Sequence, residues 1–135
     1  MKTIDKDMRM WGPLISVAKI APNSVTIYQY DLTIIWQPIT AATYYIVVRG
    51  SGSGDGYGFV IVSVIPNADL ITYTYTENLY GYASSIADYY VLACPYKIPD
   101  TNFDISDLRY GFTSSPIHIE YAATGGVPTK KEVRV

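Results

Sequence analysis

Two neighbouring runs of the sequence are apolar at nearly every position, and they limit the folds that this chain can adopt. The first, residues 44–48, reads Tyr-Tyr-Ile-Val-Val, and the second, residues 59–65, reads Phe-Val-Ile-Val-Ser-Val-Ile. A glycine-rich segment, residues 50–58, separates them and predicts a hairpin tip. Successive side chains of a β-strand point to opposite faces, so a strand with one face in water alternates apolar and polar residues. These runs lack that alternation, and we expect both of their faces to be covered.

Turn-forming residues divide the rest of the chain into short runs rich in valine, isoleucine, threonine and tyrosine. This spacing predicts an all-β fold, a seven-stranded antiparallel sandwich of the immunoglobulin-like kind. Residues 1–13 and 122–135 are expected to be terminal arms outside the sandwich of residues 14–121. Between the last two strands, residues 95–114 are expected to be an elaborated loop with one short helical turn around residues 104–107. The predicted strands span residues 14–20, 24–36, 43–49, 58–65, 70–76, 87–94 and 115–121.

Other runs do alternate in the ordinary way. In the run 70–76, Ile71, Tyr73 and Tyr75 alternate with threonines, which predicts that these three side chains share one packed face. In the last predicted strand, apolar residues alternate with His118 and Glu120. These strands are therefore expected to have one face in the core and one in water.

The charge of the chain argues against several classes of partner. The formal net charge is −2, and only 16% of the residues are charged, against roughly 25% in typical soluble proteins. Nucleic-acid binding needs clustered basic residues, whereas Lys130, Lys131 and Arg134 lie in the predicted C-terminal arm, so we expect no nucleic-acid partner. No apolar run approaches the ~20 residues that span a bilayer, and the first residues lack the apolar core of a secretory signal. We therefore expect neither a membrane partner nor an export signal.

No set of residues has the spacing of a catalytic or metal site. We interpret His118 and Glu120 as a surface pair, because a catalytic triad also needs a nucleophile that converges on the histidine. Cys94 is the single cysteine, so no internal disulfide can form, and its apolar run predicts a buried small side chain. The aspartates within residues 100–107 come closest to a calcium loop but do not have the EF-hand spacing, and the glycine-rich segment lacks the lysine and helix of a phosphate-binding loop. We predict no catalytic residue, no cofactor and no metal, and hence no enzyme.

A set of aromatic and turn residues has a recognisable spacing. Trp36 precedes a turn that contains Pro38, and Tyr45 follows nine residues after the tryptophan. Residues 89–93 read Tyr-Tyr-Val-Leu-Ala, and residues 111–117 read Gly-Phe-Thr-Ser-Ser-Pro-Ile. In these features the chain resembles a fibronectin type III domain. The resemblance implies a β-sandwich of a family whose members mostly bind proteins or act as spacers.

The resemblance also implies which side of the doubly apolar strands faces the core. In that family the three strands near residues 44–48, 59–65 and 89–94 share one sheet, and the register places Tyr45, Val47 and Val91 inside. The opposite side chains, together with Cys94, are then expected to form one contiguous outer patch that binds another protein. The alternative is that the arms or the 95–114 loop of the same chain cover it. The predicted protein-interface residues are Tyr44, Ile46, Val48, Val60, Val62, Val64, Tyr90 and Leu92.

These observations favour a non-enzymatic structural subunit that docks onto other protein subunits, either copies of itself or other structural proteins. Low charge, abundant tyrosine and no export signal together suggest a virion protein of a phage or an archaeal virus, such as a capsid, decoration or tail protein, assembled in the host cytoplasm. A location that remains cytoplasmic is the alternative. The alternative function is a carbohydrate-binding or adhesion module whose glycan would stack on surface tyrosines. The tyrosines considered for that role are Tyr28, Tyr30, Tyr80 and Tyr82.

Overall fold

A computed structural model of the chain describes residues 15–51, 58–80, 84–95, 103, 105–109 and 116–135. These residues form two antiparallel sheets packed face to face, so the predicted all-β sandwich is confirmed. The predicted N-terminal arm lies outside the described residues. The strands are β1 (Ile15–Ser16), β2 (Ala18–Ile20), β3 (Ser24–Tyr28), β4 (Asp31–Trp36), β5 (Tyr44–Ser51), β6 (Gly58–Pro66), β7 (Tyr73–Asn78), β8 (Ser84–Cys94), β9 (Leu108–Arg109), β10 (Ile117–Thr124) and β11 (Val127–Arg134).

The larger sheet has β8 at its centre. Its strand order is β11–β10–β8–β5–β6, and β2 pairs with the C-terminal half of β8 on the edge opposite β5. The smaller sheet has the order β3–β4–β7. A short parallel pair, β1 with β9, forms no strand pairing with either sheet among the described residues.

Aromatic side chains dominate the core between the sheets. Trp36, Tyr45 and Tyr73 are all buried and pack against one another, with ring centroids 4.6 to 6.2 Å apart. Large rings of this kind bury much apolar area and gain further stabilisation from edge and offset contacts. Val47 and Val91 are buried in the same core, as the resemblance to fibronectin type III domains implied.

The two sheets hold nine strands among the described residues instead of the predicted seven, and several predicted strand boundaries are wrong. The run 24–36 is a hairpin of two strands, because the chain reverses at Gln29 and Tyr30, with Gln29 in the left-handed backbone region at φ 55°. Strand β7 begins at Tyr73, so Ile71 lies in the preceding loop and is exposed instead of facing the core. Within the predicted loop, the short helical turn is confirmed as a 3-10 helix over Ile105–Asp107.

Residues 122–135, expected to form an arm, lie in the end of β10, a turn and β11. The turn uses Gly125 and Gly126, both with positive φ, and returns the chain so that β11 pairs along β10. Val133 packs against the edge of the main core. The segment is therefore an edge strand of the larger sheet.

Candidate protein-interaction surfaces

The outer apolar patch expected from the sequence lies largely beneath other parts of the same chain. Ile46, Val48, Tyr90 and Leu92 are buried, and they form a second apolar cluster with Leu108 on the outer side of the larger sheet. Cys94 is also buried. The structure therefore corrects the expectation that these side chains are exposed, and it explains why β5 and β8 are apolar on both faces.

The segments that cover this cluster come from two distant parts of the sequence. We call them the cover: residues 15–17, Phe103 and residues 105–109. Ile15 pairs with Leu108 through the β1–β9 ladder, which joins the two segments side by side. Ile15, Val17, Phe103 and Ile105 all pack against the second cluster. A Leu or Ile buried in this way contributes about 1.5–3 kcal/mol, so the cover removes a substantial apolar area from water.

A bulge in β6 changes which of its side chains face outward. Val47 pairs with Ser63 but Val48 pairs with Ile61, so Val62 is an extra residue between them. Such a bulge reverses the alternation of side chains beyond it. As a result Val62 packs against the main core, Val60 lies on the same inner side, and Val64 lies opposite Ile46 on the outer side.

The structure thus divides the eight predicted interface residues into two groups. Four are buried under the cover. The other four, namely Tyr44, Val60, Val62 and Val64, lie on β6 or beside its C-terminal end, and Val60 is 56% exposed.

Exposed aliphatic side chains gather instead at one end of the sandwich. We call this the loop end: residues 37–43, between β4 and β5, and residues 67–72, between β6 and β7. Ile71 is 87% exposed, Leu70 is 52% exposed and Ile39 is 42% exposed. Ile39 and Leu70 line the same shallow depression with Pro38. Contiguous apolar surface of this kind marks interaction sites on soluble proteins.

Hydrogen bonds to two side chains hold the loop end in place. The Asn67 amide donates to the carbonyl of Ala42 at 2.8 Å, and its Oδ1 accepts from the hydroxyl of Tyr73 and from the backbone N–H of Asp69 at 3.1 Å. The Tyr73 hydroxyl also accepts from the backbone N–H groups of Ala68 and Leu70, at 2.9 and 3.2 Å. The two loops are therefore tied to each other and to a core aromatic ring.

The backbone of the loop end is strained in both loops. Ala41 has φ 72° and Asp69 has φ 57°, and neither is glycine. Left-handed non-glycine residues cost of order 1–3 kcal/mol each and persist only where the surroundings hold them, frequently at functional sites. The Ile39 N–H donates to the hydroxyl of buried Tyr45 at 2.9 Å, which anchors the first loop beside Ala41.

Tyrosines gather at the opposite end, around the turns that follow β3, β7 and β10. Tyr30 and Tyr80 meet edge to face with ring centroids 4.9 Å apart, and the Tyr30 hydroxyl donates to the carbonyl of Gly126. Tyr28 and Tyr80 are exposed, whereas Tyr30 is half-buried. Three of the four tyrosines considered for glycan binding thus lie at this end, and Tyr82 lies outside the described residues.

His118 lies in a chain of charged side chains on the outer face of β8, β10 and β11. Its Nδ1 is 2.6 Å from Asp88 Oδ1 and its Nε2 is 3.1 Å from Glu120 Oε2. The hydrogen bond to Asp88 and, secondarily, that to Glu120 raise the pKa of His118 above its ordinary 6.5. Lys130 donates to Glu120 at 2.6 Å, and this bond together with that from His118 lowers the pKa of Glu120 to about 2. The expected surface pair is present, with Asp88 as a third member.

A second polar group lies inside one end of the sandwich. Tyr75 and Tyr89 both donate their hydroxyl protons to Glu77 Oε1, at 2.9 and 2.8 Å, and Arg49 lies 4.0 Å from the same carboxylate. Burial, followed by the charge of Glu77, raises the pKa of Tyr89. These contacts satisfy the hydrogen-bonding capacity of a largely buried carboxylate.

Within the part of the chain that the structure describes, no cluster of histidine, cysteine, aspartate or glutamate residues could hold a metal ion. Asp107 is buried in the 3-10 helix, and the other aspartates considered for calcium, Asp100 and Asp104, lie outside the described residues. The tip of the glycine-rich segment, residues 52–57, lies outside them as well. None of the helices found in the described ranges is long and apolar enough to cross a membrane.

Sequence reasoning missed the loop end. Ile39, Leu70 and Ile71 are single or paired aliphatic residues inside turn-rich segments, and the alternation with Tyr73 and Tyr75 assigned Ile71 to the core. The available signal was the segment Pro-Asn-Ala-Asp that precedes Leu70, because four turn-forming or small residues delay the start of the strand.

Comparisons with protein-family models, with curated proteins and with solved structures gave no match. The resemblance to fibronectin type III domains therefore stays a resemblance, and the β-sandwich is what the structure establishes.

Proposed function

We propose that this protein is a non-enzymatic interaction subunit of a larger protein assembly and that its loop end docks onto another protein. The observation that carries the proposal is the exposure of Ile39, Leu70 and Ile71 on two loops held by Asn67 and Tyr73. Single exposed apolar residues are common on protein surfaces. Here three exposed aliphatic residues lie on two loops that are hydrogen-bonded to each other, and together they form a surface that a partner can cover.

Physical chemistry favours a protein partner at this surface. Covering a large aliphatic side chain contributes about 1.5–3 kcal/mol when it is fully buried. Ile71 is 87% exposed, so a partner can bury nearly all of its surface. Binding costs free energy when loops must be ordered, and the hydrogen bonds from Asn67 and to Tyr73 have already fixed these loops. A few well-placed side chains at the centre of an interface commonly supply most of its affinity. A partner with an apolar pocket flanked by polar groups fits this surface.

Site-specific crosslinking tests the proposal. A photoreactive residue placed at Thr40 is used to capture proteins from the native source, in the wild-type background and with Ile71→Asp or Thr76→Asp. Thr76 is exposed on a strand of the smaller sheet, so Thr76→Asp adds the same charge away from the loop end. We expect one partner to be captured by the wild type and by Thr76→Asp and lost with Ile71→Asp. Equal capture in all three backgrounds would contradict the proposal.

The hypothesis that this assembly is a virion rests on the sequence alone. Low charge, abundant tyrosine and the expected lack of an export signal led to it. The neighbouring genes test it: capsid, portal or tail genes beside this one would support a virion protein, and a metabolic operon would contradict it.

A carbohydrate-binding module is the second candidate, and one observation favours it. Tyr28 and Tyr80 are exposed at the same end of the sandwich, where the ring of Tyr80 packs edge to face against that of Tyr30. Affinity electrophoresis in gels that contain soluble polysaccharides tests this function. Retardation that is lost with Tyr80→Ala and kept with Val127→Ala, a nearby exposed apolar residue, would support it, and unretarded migration of the wild type would contradict it.

A further inference from the structure

The free edge of β6 differs from the other edge of the same sheet. Among the described residues, β6 pairs with one strand, β5, so the backbone N–H and C=O groups on its far side have no strand partner. Such groups are a template for another strand, and proteins commonly guard them with charges, prolines or bulges. At the opposite edge, β11 carries Pro128, Lys130, Lys131 and Arg134, which are guards of this kind.

Strand β6 has none of these charges. Its nine residues read Gly-Phe-Val-Ile-Val-Ser-Val-Ile-Pro, with glycine and proline at the two ends and an apolar residue at every position between them except Ser63. Val60 is 56% exposed although it is β-branched and lies within a strand. Within β6 itself the guard is the bulge at Val62, which leaves the four residues before it in regular alternation.

We propose that β6 pairs antiparallel with β6 of a second copy of this chain, which joins two larger sheets into one continuous sheet. A two-fold dimer brings the same strand against itself, so any charge on that strand would have a like charge nearby. An uncharged strand is compatible with itself, and this is what distinguishes β6 from β11. A charged partner strand would find no complementary charge here.

The side-chain faces of β6 favour one register of the pairing. Before the bulge, Phe59 and Ile61 point to the outer side of the sheet, whereas Val60 points to the inner side. Directly opposed residues of an antiparallel pair share one face. A two-fold axis at Val60 satisfies this rule, since it places Phe59 opposite Ile61 and Val60 opposite its own copy. All of these cross-strand pairs are apolar.

Sedimentation velocity over a range of concentrations tests the dimer. We compare the wild type with Val60→Lys and with Val127→Lys, because Val127 is 62% exposed at the other end of the sheet and gives a matched valine-to-lysine change. We expect the wild type and Val127→Lys to dimerise equally. Val60→Lys should weaken the dimer by about tenfold or more, because each dimer then opposes two lysines. Circular dichroism checks that each variant is folded.

Other outcomes would overturn the inference. A wild type that stays monomeric at every concentration would do so, as would a dimer that Val60→Lys leaves intact. If β6 amides gain hydrogen-exchange protection only when a different protein binds, the edge belongs to that partner. Ile71→Asp separates this inference from the proposed docking at the loop end: it should leave self-association unchanged, and a dimer that it abolishes would assign the contact to the loop end.

Discussion

Truncating Leu108 tests whether the cover is a stabilising part of the fold. Leu108 is the one buried apolar side chain of the cover among the described residues, packed with Ile46, Val48, Tyr90 and Leu92. Leucine-to-alanine changes in cores cost about 2–5 kcal/mol, and the low end applies where the surroundings can collapse. The cover is a thin layer on a small cluster, so we expect Leu108→Ala to lower the free energy of unfolding by about 2–3 kcal/mol.

Thermal and urea unfolding followed by circular dichroism measure this loss. For a chain of 135 residues, the expected change lowers the melting temperature by roughly 6–12 °C. If the cover opens locally before global unfolding, amides of β1 and β9 exchange faster and the uncovered cluster binds a hydrophobic dye. The matched control is Ile71→Ala, which truncates an exposed aliphatic residue and should change stability by less than about 0.5 kcal/mol. A Leu108→Ala variant as stable as this control would refute the role given to the cover.

Two further predictions concern hydroxyls and protons. Tyr73→Phe removes a hydroxyl that donates to Asn67 and accepts two backbone N–H groups, so we expect a loss of about 1–3 kcal/mol in urea unfolding. Tyr121→Phe is the contrasting change: the Tyr121 hydroxyl is buried with no hydrogen-bond partner in the described structure, so its removal should be neutral or stabilising, and an equal loss in both variants would contradict this account. Because the pKa of His118 is raised, its ion pairs stabilise the fold fully below pH 6.5, and that contribution is lost as the pH rises through the raised value. NMR titration of the histidine should show its pKa falling toward the ordinary value in Asp88→Asn, and an unchanged titration would contradict the assigned cause.

The sandwich could be predicted because its core follows simple periodicity. Leu32, Ile34 and Trp36 alternate with half-buried or exposed neighbours along β4, and all three are buried. Tyr45 and Val47 lie inside as the resemblance implied. Where alternation and turn residues agree, strand faces are readable from the sequence.

Register and turns without glycine or proline could not be predicted. The bulge at Val62 cannot be recognised in a run that is apolar at every position except Ser63, so Val60 and Val62 were assigned to the wrong side of β6. The hairpin turn at Gln29 uses a left-handed residue that is not glycine, and the sequence there reads as continuous strand. Tertiary packing decides both features.

The doubly apolar strands correctly predicted that both of their faces are covered, but they did not indicate what covers the second face. Their second face had to be covered, and the choice between a partner and the same chain depended on where Phe103 and residues 105–109 pack. That segment pairs with Ile15, which is distant in sequence, so local patterns carry no sign of it. The candidate loop end was missed for the opposite reason, since Leu70 and Ile71 sit beside a strand whose start local alternation placed too early.

The pairing of the first strands with late ones has a consequence for how the chain is made. Residues 18–20 pair with the C-terminal half of β8, and Ile15 pairs with Leu108, so the earliest strands emerge from the ribosome long before their partners. Until Leu108 has emerged, the cluster that contains Ile46 and Val48 lacks the one buried apolar side chain of its cover among the described residues. A nascent chain stalled before that point would present aliphatic surface of this cluster to chaperones, so the outer side of this sheet is completed only after Leu108 has been synthesised.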